Sequence, residues 1–249
     1  MSEFSPKVIY EDNHLLVVEK PVNIPSQADQ SGDPDLLSIL KNDLKRRFGK
    51  PGNVYLGLVH RLDRPVGGVM VFARTSKAAA RLAAQIREGR IEKTYLAVIL
   101  GSPVNPQGTL RHSLVKDGRT NKVYAVSKLQ PGSKEAILDY QVIGERAGLS
   151  LVRINLHTGR SHQIRIQFAT IGHPLYGDQK YGRGAKPGEQ IALWANAIRF
   201  FHPTKNEELC FSTLPPKELP WNLFPILESV QNPFKERIVQ VPKGPVFVP

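Results

Sequence analysis

Apolar positions along this 249-residue chain fall mainly into short alternating runs separated by turn residues, with three stretches at helical spacing. Residues 8–21, VIYEDNHLLVVEKP, place two apolar runs around Glu11, Asp12 and Asn13, which predicts a pair of strands with a tight connection. Residues 21–35 are rich in Pro, Gly, Ser and Asp and predict a surface loop. Leu36, Leu40 and Leu44 then recur every four residues up to Gly49, the spacing of an amphipathic helix closed by a glycine cap. Residues 54–59 and 67–73 read as strands, with HRLDRP as the connection between them. Thr75 or Ser76 caps a predicted helix whose stripe is Ala79, Leu82 and Ile86, with Gly89 beyond its end.

Residues 93–100 alternate Tyr95, Ala97 and Ile99 against Leu96 and Val98, a strand pattern. Two further strand pairs are predicted: 110–115 with 122–126 around KDGRTN, and 136–143 with 149–156 around GERAG. In HTGRSHQIRIQFATIG, Ser161 is the predicted cap of a helix carrying Ile164, Phe168 and Ile171 on one face, with Gly172 after it. Residues 190–214 give two more strands around HPTKNEE, and the proline-interrupted tail after Trp221 reads as a packed or partly mobile extension. These elements favour an α+β fold, a large and mostly antiparallel sheet with a few helices. The expected organisation is a single domain over 1–249, with a core at about 8–220 and a C-terminal extension at 221–249.

Composition narrows the class. With 41% hydrophobic and 22% charged residues the chain is globular rather than disordered. No apolar run approaches the roughly 20 residues of a membrane span, and the start lacks a signal-peptide pattern, so a cytoplasmic location is expected. Cys210 is the only cysteine, which excludes an intrachain disulfide and a cysteine-rich zinc site, and it reads as a small buried hydrophobe on a strand. Lys and Arg number 34 against 22 Asp and Glu, a net charge of +12 that favours contact with polyanions such as a phosphate backbone.

Several kinds of site are absent: there is no GxxxxGK[ST] loop, no GxSxG elbow and no HExxH pair. His157, His162 and His173 match no common metal-ligand spacing, so no metal is expected. What remains is four glycine-flanked polar clusters. HRLDRPVGG holds Asp63 between Arg61 and Arg64, an arrangement that on its own fits a salt-bridged turn. EKTYLAVILG places Tyr95 on a strand, where a plain core role is the simple reading. HTGRSHQIRIQ sets Arg160 and Arg165 around a helix start, where backbone N–H groups favour anions, and GHPLYGDQKYG is a glycine- and tyrosine-rich loop.

In this order the clusters HRLDRPVGGVMVFA, EKTYLAVILG, HTGRSHQIRIQFATIGHPLYGDQKYG and LWANAIRFFHP resemble the RluA-type pseudouridine synthases, and VIYEDNHLLVVEKPVNIPSQ resembles that family's first strand pair. The resemblance runs from about residue 8 to residue 220. It departs at Pro65, Val66 and Gly67, where the family usually has a Thr-Ser pair, and at Gln167 and Trp194, where it commonly has histidines. The resemblance implies a pseudouridine synthase-like sheet with a central RNA-binding cleft, no cofactor, and isomerisation of uridine in ribosomal or transfer RNA after base flipping. It implies Asp63 as the catalytic carboxylate, Arg165 as the partner that keeps it ionised, and Tyr95 as the residue packed on the target base. It further implies that Arg61 fills the space the base vacates, that Arg64 and Arg160 meet phosphates, and that Ile164 lines the pocket or belongs to the core. A monomer is the family-based expectation, with no RNA-binding module ahead of the catalytic pattern. The alternative is a catalytically inactive RNA-binding protein on the same scaffold.

Overall fold

Strands β1 (Lys7–Glu11) and β2 (Leu15–Lys20) form the predicted antiparallel hairpin, with Val8 opposite Val18 and Glu11 opposite Leu16. The structure, a computed structural model, describes residues 6–127, 130–182, 184–228 and 230. Within them the chain forms two compact units. One holds the described residues up to Glu92 with Ala195–Thr213; the other holds Lys93–Trp194 with the described residues from Leu214 onward.

In the first unit, helix α1 (Leu36–Arg47) is capped by Asp35, whose side chain accepts from Ser38 N at 3.1 Å. Leu36, Leu40 and Leu44 are buried, and Gly49 closes the helix in the left-handed region at φ +57°, as the spacing predicts. Strand β3 (Gly57–Leu58) is much shorter than the predicted 54–59. It pairs with β4 (Gly67–Ala73) only at Gly57–Ala73 and Leu58–Phe72; next along β4, Val71 N donates to the His60 ring at 3.1 Å. A side chain thus replaces the backbone acceptor that a longer strand would have supplied. β4 also pairs with β2, and all seven of its residues are buried.

Helix α2 (Ser76–Arg87) is capped by Thr75 and buries Ala78, Leu82 and Gln85. Ala79 and Ile86 of the predicted stripe are only partly buried against the same core, which includes Leu15, Val17, Val69, Val71 and Phe200. Each large apolar side chain so buried contributes on the order of 2 kcal/mol. Strands β10 (Leu193–Phe201) and β11 (Glu208–Ser212) make the late hairpin, and Cys210 on β11 is half-buried.

The turn between β10 and β11 is latched to the turn between β1 and β2. His202 Nδ1 accepts from Thr204 N and Lys205 N, which leaves the proton on Nε2 to donate to Asp12 at 2.8 Å. Asp12 also accepts from His14 N, Leu15 N and the Tyr10 hydroxyl. Burial would raise its carboxyl, but these donors outweigh burial and hold it well below the usual carboxylate range.

The second unit is built on β5 (Glu92–Leu100), β6 (Gln107–Asp117), β7 (Lys122–Val126), β8 (Lys134–Arg146) and β9 (Leu149–Leu156), in the spatial order β5-β9-β8-β6-β7. These pairings are all antiparallel. β6 and β8 are longer than predicted because they pair with each other from Gln107–Gln141 to Leu114–Lys134. Helix α3 (Gln163–Thr170) starts one residue later than a Ser161 cap requires. Its N-cap is His162 in the left-handed region, φ +52°, with no side-chain cap. Gln163 is the reason: its Oε1 accepts from Arg160 N and the Thr158 hydroxyl, drawing the chain into a tight reversal.

Among the described residues three α-helices and many antiparallel strands give the α+β class expected. Among the described residues no helix is long and apolar enough to cross a membrane. The C-terminal extension is described only as far as two short 3-10 helices ending at Glu228, with residue 230 beyond; the rest of the predicted 221–249 lies outside the described residues.

Candidate active site

Asp63, Arg61 and Arg64 belong to the first unit, where the connection into β4 is held from two sides. Ser26 grips Leu62 at both backbone groups: its hydroxyl donates to Leu62 O at 2.8 Å and accepts from Leu62 N at 3.2 Å. Past Asp63, the Lys20 ammonium donates to Arg64 O (3.0 Å), Val66 O (2.8 Å) and Pro21 O (2.9 Å). Val66 N closes the turn on Asp63 O at 3.0 Å. Asp63 therefore sits between two backbone clamps and is itself half-buried.

Lys20 reaches this position because β2 ends opposite Gly68, and the Lys20 side chain is wholly buried. Gly68 adopts φ +124°, and a Cβ there would collide with the Ala195 backbone, so only glycine fits at the position paired with Lys20. Burial pushes the Lys20 ammonium down to about 7; the Asp63 charge opposes that shift and Arg64 adds to it.

Arg61 is exposed. Arg64 is exposed too but engaged: it pairs with Asp33 and Asp29 and donates to the Ser31 hydroxyl at 3.0 Å and to Asn23 O at 3.3 Å. A phosphate reaching Arg64 would have to compete with two carboxylates of the 21–35 loop.

Tyr95, Arg160, Ile164 and Arg165 belong to the second unit. Tyr95 lies on β5 opposite Ile154 of β9 and is 8% exposed. Ile164 is buried on α3. Arg165, the third residue of α3, is buried and gripped by Asp178, with Nε at 2.9 Å from Oδ2 and Nη2 at 2.7 Å from Oδ1. Its guanidinium also lies 5.3 Å from the centroid of the Tyr181 ring. Asp178 Oδ1 accepts from Lys180 N and Tyr181 N, and Val123 N donates to the Tyr181 hydroxyl. Burial would raise the Asp178 carboxyl, but the Arg165 hydrogen bonds and charge, with the two N–H donors, hold it below its ordinary value. Arg160 is exposed, with Nε donating to Glu135 O at 2.9 Å.

Gln167, at a position where a histidine is common in the resembling family, is fully buried. Its amide donates to Leu110 O and Ala136 O, both at 3.1 Å, and so ties α3 to β6 and β8. The sequence motifs single out neither Lys20 nor Asp178. Lys20 had a signal: it follows Leu16 and Val18 on the buried face of its strand, where a lysine is out of place. Asp178 had none beyond being an acid in a glycine-flanked turn. Among the described residues no group of three or more His, Cys, Asp and Glu side chains is disposed to hold a metal ion.

The match to the RNA pseudouridylate synthase family model covers residues 14–170, more than half of the chain, and the chain belongs to that family. It is 34% identical over 202 residues to the uncharacterized RNA pseudouridine synthase YhcT of Bacillus subtilis, covering 80% of this chain and 65% of that protein. To the ribosomal large subunit pseudouridine synthase D of Zymomonas mobilis it is 32% identical over 224 residues, covering 86% of this chain and 70% of the relative. The chain thus spans about two thirds of the length of these curated relatives. Among solved structures it resembles human RNA pseudouridylate synthase domain containing 1, with a TM-score of 0.69 and 26% identity over 88% of this chain and 87% of the other.

Proposed function

We propose that this protein isomerises particular uridines of ribosomal or transfer RNA to pseudouridine, with Asp63 as the catalytic carboxylate. The observation that carries this reading is the clamped loop. A turn acid with a merely structural role needs no fixed backbone, whereas Asp63 is bracketed by Ser26 on Leu62 and by a buried lysine on Arg64 and Val66. Preorganisation of that kind is what a reacting carboxylate needs.

In the reaction the bond from the base nitrogen to the ribose breaks, the base turns, and a ring carbon takes the nitrogen's place. No atom is lost and nothing is oxidised, so the chemistry needs no cofactor. Asp63 acts on the sugar, either by attacking the ribose carbon or by removing a ribose proton. Tyr95 packs on the base and assists loss of the proton from the rejoining carbon. Arg165 opposes protonation of the carboxylate, and its rigid seat on Asp178 suits it to that task.

The target nucleotide must leave its stack, at roughly a few kcal/mol, and Arg61 fills the gap it leaves. Ile164 contributes apolar wall, while Arg64 and Arg160 serve the phosphates. In this reading both compact units act as one catalytic domain, a cytoplasmic monomer. The test is pseudouridine mapping across cellular RNA before and after deletion of the gene. The expected result is loss of pseudouridine at one or a few positions, restored by the wild-type gene. An unchanged map would overturn the proposal and favour an RNA-binding role.

A further inference from the structure

Lys93 stands near the start of β5, two residues before Tyr95, so the two side chains leave the strand on the same face. Its ammonium lies over the turn that follows β9, where a Cβ added to Gly159 would come within 3.6 Å of Nζ. The residue is half-buried, and among the described residues it makes no hydrogen bond or ion pair. Burial lowers its pKa from the ordinary lysine value, and among the described residues no acidic neighbour offsets that. An ammonium partly removed from water without an acceptor is unfavourable until an anion joins it.

The turn below Nζ is stiff. His157 N and Thr158 N both donate to Ile137 O, the Thr158 hydroxyl accepts from Ile137 N, and Arg160 N donates to Gln163 Oε1. Arg160 follows Gly159 and uses its Nε on Glu135 O, leaving its two terminal nitrogens without a partner among the described residues. Two cations with free donors thus flank a glycine whose lack of a side chain leaves Nζ uncovered.

We propose that Lys93 and Arg160 seat one phosphodiester of the RNA strand beside the target uridine, with Gly159 keeping the seat open. The inference rests on the pseudouridine synthase reading, in which Tyr95 meets the base. Two strand residues span about 6.6 Å, comparable with the separation of a base from its own nucleotide's phosphate. A point-charge lysine beside a forked arginine is a chemically apt pair for one phosphate.

The experiment follows tritium release from RNA labelled at carbon five of uracil, at several salt concentrations. It uses whichever of ribosomal or transfer RNA the wild type acts on. Lys93→Gln should lower kcat/KM about tenfold through KM and make the log–log salt slope shallower by about 0.7–0.9, the contribution of one phosphate. Lys93→Arg should recover most of the loss. Gly159→Ala keeps the ammonium but covers it; it should raise KM while kcat and melting temperature stay as in wild type. An unchanged salt slope in Lys93→Gln, or a loss confined to kcat or to melting temperature, would overturn the phosphate seat alone. Absence of release by wild type from either RNA would overturn the synthase reading, and this inference with it.

Discussion

Asp178→Asn is the substitution that most sharply separates a held arginine from a loose one. Asp178 is 1% exposed and takes Arg165 through two charge-assisted hydrogen bonds of 2.9 and 2.7 Å. Asparagine keeps one oxygen for Lys180 N and Tyr181 N, but sets an N–H donor against the guanidinium. The change leaves Arg165 as a buried charge without its counter-ion, which costs about 3–5 kcal/mol. At roughly 2–4 °C per kcal/mol for a chain of this size, the melting temperature should fall on the order of 10 °C.

Urea denaturation as a function of pH checks both the size and the cause. The Asp178 carboxyl is depressed in the folded protein, so its contribution is fully present above about pH 4, the unfolded value, and fades as pH falls through the lower folded value. The gap between wild type and Asp178→Asn should therefore be widest near neutrality and narrow in acid. A loss below about 1 kcal/mol, or a gap that does not change with pH, would mean that Asp178 does not hold Arg165 as a buried ion pair.

Three further outcomes are expected. His202→Ala removes the donor to Asp12 and the acceptor of two turn N–H groups, and should destabilise the protein by about 2–3 kcal/mol in urea. Lys20→Met deletes the donor to Arg64 O and Val66 O beside Asp63; kcat should fall at least about tenfold while KM stays within about threefold in steady-state assays. Gly68→Ala meets both the Ala195 backbone and a disfavoured φ, and should yield little folded protein on expression, seen by circular dichroism of the soluble fraction.

Element types were legible wherever the hydrophobic period was clean. Leu36, Leu40 and Leu44 marked α1, and the alternation around Tyr95 marked β5, because burial of one face is written directly into such spacing. Boundaries failed where side chains substitute for backbone. His60 ended β3 early by accepting from Val71 N, and Gln163 displaced the cap of α3 from Ser161 to a left-handed His162. Gln85 is buried on α2 for a similar reason: its amide exchanges two hydrogen bonds with the backbone of Phe201, a contact no helical period foretells.

The proposal of Asp63, Tyr95 and Arg165 rests on ordered motifs, since each alone suits an ordinary structural role. The motifs do not single out the residues that hold them, Lys20 and Asp178. Lys20 lies 43 residues before Asp63, and Asp178 lies 13 residues after Arg165, so both contacts exist only once the chain has folded.

The proposed chemistry turns on Asp63. Its most direct test is tritium release from RNA labelled at carbon five of uracil, comparing wild type with Asp63→Ala at matched, saturating RNA. Wild type should release label with each turnover, and the variant should bind the RNA yet release none. Release by Asp63→Ala at a rate near that of wild type would contradict the account.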